Sequence, residues 1–358
     1  MNSVFDILAV NQVSTRIMKM GSNTTKHFPY EIERLSEEEN KKVASIYNGG
    51  IVLRFSRIGP QKYFMPKFYE KFAERIYNLE LRADDIFVAS FPKCGTTWLQ
   101  ELVWLINNDL NYDRAQVISL TKRFLFLEIE SIAEVIEGES NDLAKKYREA
   151  VLLFNDIVTM PTTSPRFIKT HLPLSLLPPT LLDNNKVVYI AREPRDVAVS
   201  YYYHNKLTRF INDDPDFKSF WNLFKNSEVI WAPFFQHVQE AWEKQNHPNF
   251  LFLFYEDLLK DLRGNVQRVA EFFGKSLTNE QLIGLCEHLT FDNFKKNKAV
   301  NYEHMIKKGI FTKDGAFIRQ GKSGSWRDHF DPEMTLEADR WISENLQNTD
   351  LRFPNMES

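Results

Sequence analysis

The chain has 358 residues, 43% of them hydrophobic and 26% charged, with a formal net charge of −3. That length and composition suit a globular protein of one large α/β domain or two smaller ones. So small a net charge excludes a general basic surface for nucleic acid and makes any anion site a local feature.

Residues 1–27 are polar apart from positions 4–10 and lack a basic leader and a cleavage site, so a flexible N-terminal extension is expected. No apolar run approaches the length of a membrane span. Two distant cysteines, Cys94 and Cys286, make no disulfide framework and fit a reducing, cytoplasmic location. With neither a C-x-x-C nor an H-E-x-x-H pattern, no metal site is expected.

The first strong element is an apolar run at 86–90, followed by the loop Ser90-Phe91-Pro92-Lys93-Cys94-Gly95-Thr96-Thr97-Trp98 and a helical pattern over 97–107. Strand, small-residue loop and helix start aim several backbone N–H groups at one point, where a phosphate or sulfate binds readily. Lys93 adds a full charge, and Thr96 and Thr97 add hydroxyls. The loop is P-loop-like without being a Walker A motif, because its lysine precedes the glycine. Taken alone, it also fits an ordinary strand–helix turn.

Residues 113–165 mix apolar and charged positions, with a helix predicted over 141–152. They read either as a helical insertion covering a substrate site or as peripheral decoration. Further buried strands are predicted at 166–170, 186–191 and 249–255, and helices at 194–206, 231–245 and 262–273. Pro194 suits the first turn of its helix. With no repeats or long linkers, the expected fold is a single α/β three-layer domain over 28–355, a central parallel sheet flanked by helices.

Arg192 falls at a strand end and Ser200 on the next helix, where both can hold one phosphate. An arginine so placed is also a common surface ion pair. The segment Phe317-Ile318-Arg319-Gln320-Gly321-Lys322-Ser323-Gly324-Ser325-Trp326-Arg327 suits a second phosphate-wrapping loop, or plain solvated surface. The 29 phenylalanines fit a core, an apolar pocket, or both.

These three segments, in this order and together with Lys169-Thr170-His171-Leu172-Pro173, resemble the cytosolic sulfotransferases. Phrases such as Leu251-Phe252-Leu253-Phe254-Tyr255-Glu256-Asp257 look most like the insect subgroup that includes retinol dehydratase. The resemblance runs over roughly 28–354. It implies 3′-phosphoadenosine 5′-phosphosulfate (PAPS) as sulfonate donor, with 3′-phosphoadenosine 5′-phosphate (PAP) as product. Lys93, Cys94, Gly95, Thr96 and Thr97 would hold the 5′-phosphosulfate, and Arg192, Ser200, Arg319 and Gly321 the 3′-phosphate. Trp98 and Phe291 would sandwich the adenine, with Tyr255, Leu289, Thr290, Phe317 and Gln320 around the nucleotide. His171 is carried over as catalytic base, with Lys93 and Lys169 at the transferring group.

Four positions depart from the family pattern: Gln320 where lysine is usual, Leu289-Thr290 where Thr-Ser is usual, and Ser325 where aspartate is common. The dimer motif of vertebrate members would fall at 327–336. Asp331-Pro332 occupies its centre and removes a backbone donor, which puts that mode of dimerisation in doubt and leaves a homodimer possible by another.

The expected activity is in-line transfer of the sulfonate to the hydroxyl of a small apolar alcohol or phenol, catalysed by positioning and electrostatics. Retinol-dehydratase-like elimination through a transient sulfate ester is the alternative. A non-catalytic binder of the nucleotide or of an apolar ligand is the third.

Overall fold

The computed structural model describes residues 27–47, 54–132, 165–208 and 215–354, with 145–146, 149, 151, 154–159, 161 and 210–211. The expected extension at 1–27 lies outside them apart from His27, and the expected helix at 141–152 lies mostly outside.

Near the start, β1 (Ile32–Arg34), β2 (Phe55–Ile58) and β3 (Tyr63–Pro66) form an antiparallel sheet that was not anticipated. These strands are three or four residues long, too short for alternation to register. The central sheet contains β4 (Ile86–Ala89), β5 (Leu125–Phe126), β6 (Phe167–Thr170), β7 (Lys186–Ala191) and β8 (Phe250–Phe254). Its order is β5-β6-β4-β7-β8, and every pairing is parallel. Phe87, Val88, Val187, Val188 and Ile190 are fully buried, as expected for strands covered on both faces by helices.

The helices that position the site are α1 (Thr96–Asn107), α2 (Pro194–Leu207), α3 (Phe217–Lys225), α4 (Phe234–Trp242) and α5 (Leu262–Phe272). Pro194 does open α2, whose N-cap Glu193 accepts from the Asp196 N–H. The helix expected from 231 instead starts at Phe234, capped by Pro233. Trp231 stands outside it at φ +70. Strand β5 was also missed, so the 113–165 segment is partly a sheet edge rather than wholly helical.

At the amino ends of the strands, Asp85 accepts hydrogen bonds from Arg166 in a buried ion pair. Among the described residues, no helix is long and apolar enough to cross a membrane.

Candidate functional site

The sheet register creates the site. Ala89 aligns with Thr170 on β6 and with Tyr189 on β7, and Ala191 aligns with Phe254. The chain therefore leaves four adjacent strands along one edge, and His171, Arg192 and Tyr255 each come immediately after a strand. Lys93 follows β4 by four positions. Because the strand order reverses around β4, this edge holds the crevice in which open α/β sheets bind ligands.

Along it runs a cavity of about 480 Å³. Its wall includes Lys93, Gly95, Thr96, Thr97, Trp98, Lys169, His171, Arg192, Ser200, Tyr255, Leu289, Thr290, Phe291, Phe317, Arg319, Gln320 and Gly321. Cys94 is the exception among the expected residues. Its thiol is fully buried beneath the loop, facing the Pro92 carbonyl at 3.9 Å.

Tight backbone geometry shapes the anion loop. Lys93 has φ +68 and Gly95 φ +104, and a Cβ at position 95 would lie 2.7 Å from the Tyr255 ring. The Ser90 and Thr96 hydroxyls pair at 2.6 Å, joining the strand end to the first turn of α1, whose N-terminus faces the loop.

Four of the cations lining the cavity each rest on an aromatic face. Lys93 Nζ lies 4.1 Å from the Phe317 centroid and Lys169 Nζ 3.9 Å from that of Phe126. The guanidinium carbons of Arg192 and Arg319 lie 4.4 Å from Tyr255 and Tyr203. Among the described residues, Lys93, Lys169 and Arg319 make no carboxylate ion pair, and Arg192 has only Asp196 at 3.8 Å. An aromatic face supports a cation without cancelling its charge. The positive charge thus stays available to a ligand. Burial first, then repulsion from Lys169, Arg192 and Arg319, lowers Lys93 to about 7. Burial lowers Lys169 to about 8, against the opposing field of Glu128.

The second and third segments are tied together by a residue the sequence did not single out. Buried Asp196 accepts from the N–H groups of Gly324 at 2.6 Å and Trp326 at 3.0 Å. The hydroxyls of Ser323 and Ser325 donate to it at 3.0 and 3.2 Å. Its place one turn after Arg192 is the only clue in the sequence. Ser325, the departure noted above, thus makes one of the ties.

Trp98 donates its indole N–H to the Leu289 carbonyl at 2.9 Å, which fixes it beside the turn leading to Phe291. The Thr290 hydroxyl points back to the Glu287 carbonyl at 2.9 Å rather than being held for a ligand. Gln320 Oε1 is buried with no hydrogen-bond partner among the described residues.

His171 lies against Phe126 and Trp231, with ring centroids 5.3 and 5.2 Å away. Its Nδ1 is 2.8 Å from the Ser90 carbonyl oxygen. A carbonyl only accepts, so Nδ1 carries the hydrogen and Nε2 keeps its lone pair. Burial, then repulsion from Lys169, holds the imidazole well below its ordinary pKa, hence neutral. Its carbonyl accepts from His237 Nε2 at 2.8 Å, while His237 Nδ1 meets the Tyr189 hydroxyl at 2.8 Å. Among the further cavity residues that the sequence reading does not single out are His204 and Trp231, both in segments whose aromatic spacing reads as core. Of the two aromatic-rich helices α2 and α3, α2 contributes Tyr201 to the cavity wall, whereas Phe220, Trp221 and Phe224 of α3 are buried core.

A nucleotide with anionic groups at both ends fits this arrangement. One end would meet the Lys93 loop and the other the Arg192–Arg319 corner, with rings between them. The model of the sulfotransferase domain family matches residues 83–350. Luciferin sulfotransferase of Photinus pyralis is 35% identical over 302 residues, 82% of this chain and 80% of that protein. Sulfotransferase 1E1 of Bos taurus is 31% identical over 291 residues, 80% of this chain and 92% of that protein. A solved structure of retinol dehydratase with androsterone and the inactive cofactor PAP has a TM-score of 0.86 and 45% identity. That match covers 92% of this chain and 99% of the other. A second retinol dehydratase structure, with retinol and PAP, has a TM-score of 0.85 and 44% identity over 91% and 99% of the two chains. This chain belongs to the sulfotransferase family, close to retinol dehydratase, and is a PAPS-dependent sulfotransferase.

Proposed function

We propose that the acceptor is a small, largely apolar alcohol or phenol and that His171 is the base that takes its proton. The observation carrying this reading is the His171 tautomer: a neutral imidazole, its Nδ1 held by the Ser90 carbonyl, lining a cavity shared with Lys93 and Lys169. Beyond His171 the wall is mostly apolar, with Phe126, Ile129, Phe210, Trp231, Ile310 and Phe311.

The donor, when bound, supplies the activated sulfonate. Lys93, with Gly95, Thr96, Thr97 and the N–H groups of its loop, would hold the 5′ end and stabilise the departing 5′-phosphate. Lys169 would face the sulfonate oxygens. Arg192, Ser200, Arg319 and Gly321 would hold the 3′-phosphate, and Trp98 and Phe291 would flank the adenine. His171 Nε2 would accept the hydroxyl proton as the acceptor oxygen attacks.

Incubation with radiolabelled PAPS and a panel of phenols, sterols and retinoids should label an acceptor. His171→Ala should abolish labelling while PAP still binds. Full activity of that variant would remove His171 from the base role.

The two retinol dehydratase matches favour a second reading for allylic alcohols. Sulfonation would be followed by loss of sulfate with its bonding electrons and of a proton from the resulting cation, giving a diene. A water-poor apolar wall suits such a cation. With retinol, a sulfate ester supports simple transfer and anhydroretinol supports elimination.

A further inference from the structure

Strand β5, only two residues long, delivers Glu128 to the centre of the site. Leu127 donates its N–H to the Lys169 carbonyl at 2.9 Å, which holds the chain beside β6. Glu128, 1% exposed, then turns inward. One carboxylate oxygen accepts the His171 backbone N–H at 2.6 Å and the other the Thr170 hydroxyl at 2.9 Å. Thr170 Oγ1 in turn accepts the Leu172 N–H at 3.0 Å. Three consecutive residues around the proposed base are therefore tied to one carboxylate.

Glu128 also stands alone electrically. Lys93, His171 and His204 all feel the charge of Lys169, and none of them offsets it. Glu128 is the group that favours the protonated form of Lys169. Its field also reaches Tyr69, from the short helix Lys67–Lys71, whose buried hydroxyl has no hydrogen-bond partner among the described residues. Among the described residues no cation forms an ion pair with Glu128, so its charge serves Lys169 through space.

We infer that Glu128 is a positioning residue for sulfonate transfer, fixing the His171 backbone and acting as the countercharge that keeps Lys169 protonated. This rests on the transfer reading above, but its test does not need an acceptor. The Lys169 side chain can be titrated by NMR through its 13Cε and 15Nζ signals, assigned with a Lys169→Arg sample.

Glu128→Gln keeps the shape and removes the charge, so Lys169 should lose its proton at a pH lower by about one unit. Where an acceptor is turned over, the alkaline limb of kcat/KM should move by the same amount. Glu128→Asp keeps the charge but retracts it from the His171 N–H; it should lower kcat and leave the Lys169 titration in place. A Glu128→Gln protein whose Lys169 titrates as in the wild type overturns the proposal. If Glu128→Gln does not fold, Lys169→Met provides the reciprocal test. The infrared band of protonated Glu128 should then persist to higher pH than in the wild type, and an unchanged band is equally decisive against the pair. Absence of turnover in the wild type would instead count against the transfer reading, with the Lys169 titration still deciding the role of Glu128.

Discussion

The 2.8 Å contact between His171 Nδ1 and the Ser90 carbonyl oxygen decides which ring nitrogen can take a proton from an acceptor. Burial and the Lys169 charge then disfavour the imidazolium, so its pKa lies well below that of an ordinary histidine. The base form is present above that lowered value. The acid limb of kcat/KM should therefore fall below pH ~6.5, the unperturbed histidine value. His171→Ala should reduce turnover on the order of 100–10,000-fold, with PAP affinity by calorimetry within about twofold of wild type. An acid limb at or above pH ~6.5 would show that the imidazole is not held as described.

The clustered cations make a prediction about protons. Lys93 at about 7 and Lys169 at about 8 both lie below an ordinary lysine because of burial, reinforced at Lys93 by repulsion from the neighbouring cations. Between those values and the unfolded value near ~10.5, the unfolded chain binds more protons than the folded one. Stability of the ligand-free protein should therefore decline as pH falls through that window. An anion in the cavity reverses the effect by raising both pKa values. At pH 8, PAP binding should take up between one and two protons, measured from binding enthalpies in buffers of different ionisation heat. The phosphates are already fully ionised there and release none. Lys93→Met should reduce the uptake and lower kcat on the order of 100–1000-fold. Binding without proton uptake would mean the lysines are already compensated.

How much of this site can be read from the chain depends on how local each feature is. Lys93, His171, Arg192 and Tyr255 are legible because buried parallel strands read as continuous apolar runs. The residues just past such runs emerge at one edge of the sheet. Glu128 is hidden because two strand residues, Leu125–Phe126, carry no periodic signal. Asp196 is hidden for another reason: its partners lie about 130 positions away, and no local pattern marks that distance. Trp231 falls inside an apparent helical repeat that Pro233 cuts short. Cys94 sits in the right loop, but backbone direction turns its side chain into the core.

Asp196 should matter more than its distance from the chemistry suggests. It satisfies two backbone N–H groups and two hydroxyls of the turn at 323–326. Asp196→Ala leaves those donors, two of them buried, without their acceptor, and each buried donor left unpaired costs about 1–3 kcal/mol. The denaturation midpoint should drop accordingly and PAP affinity should fall at least tenfold, because Arg319 and Gly321 belong to the released loop. Asp339→Asn is the control. It removes the half-exposed partner of Arg195 at 2.6 Å, a type of contact worth at most about 1 kcal/mol. Equal effects from the two variants would deny Asp196 its fastening role.

Gly321 and Gly309 separate backbone strain from a steric requirement. Both adopt left-handed conformations, at φ +64 and +73, and alanine costs about 1–2 kcal/mol at such a position. Their surroundings differ. A Cβ at 309 meets nothing within 4 Å, whereas one at 321 would lie 2.0 Å from Phe291 Cδ2 and 2.5 Å from its Cε2. Gly321→Ala must therefore push aside the ring proposed to cover the adenine, and Gly309→Ala pushes nothing. PAP affinity should weaken at least tenfold in the first variant and stay near wild type in the second, with similar modest losses of stability from strain. Adding Phe291→Ala to Gly321→Ala should cost less than the two single effects summed, since the collision has already displaced the ring. Strict additivity in calorimetric binding would mean that the glycine and the ring act independently.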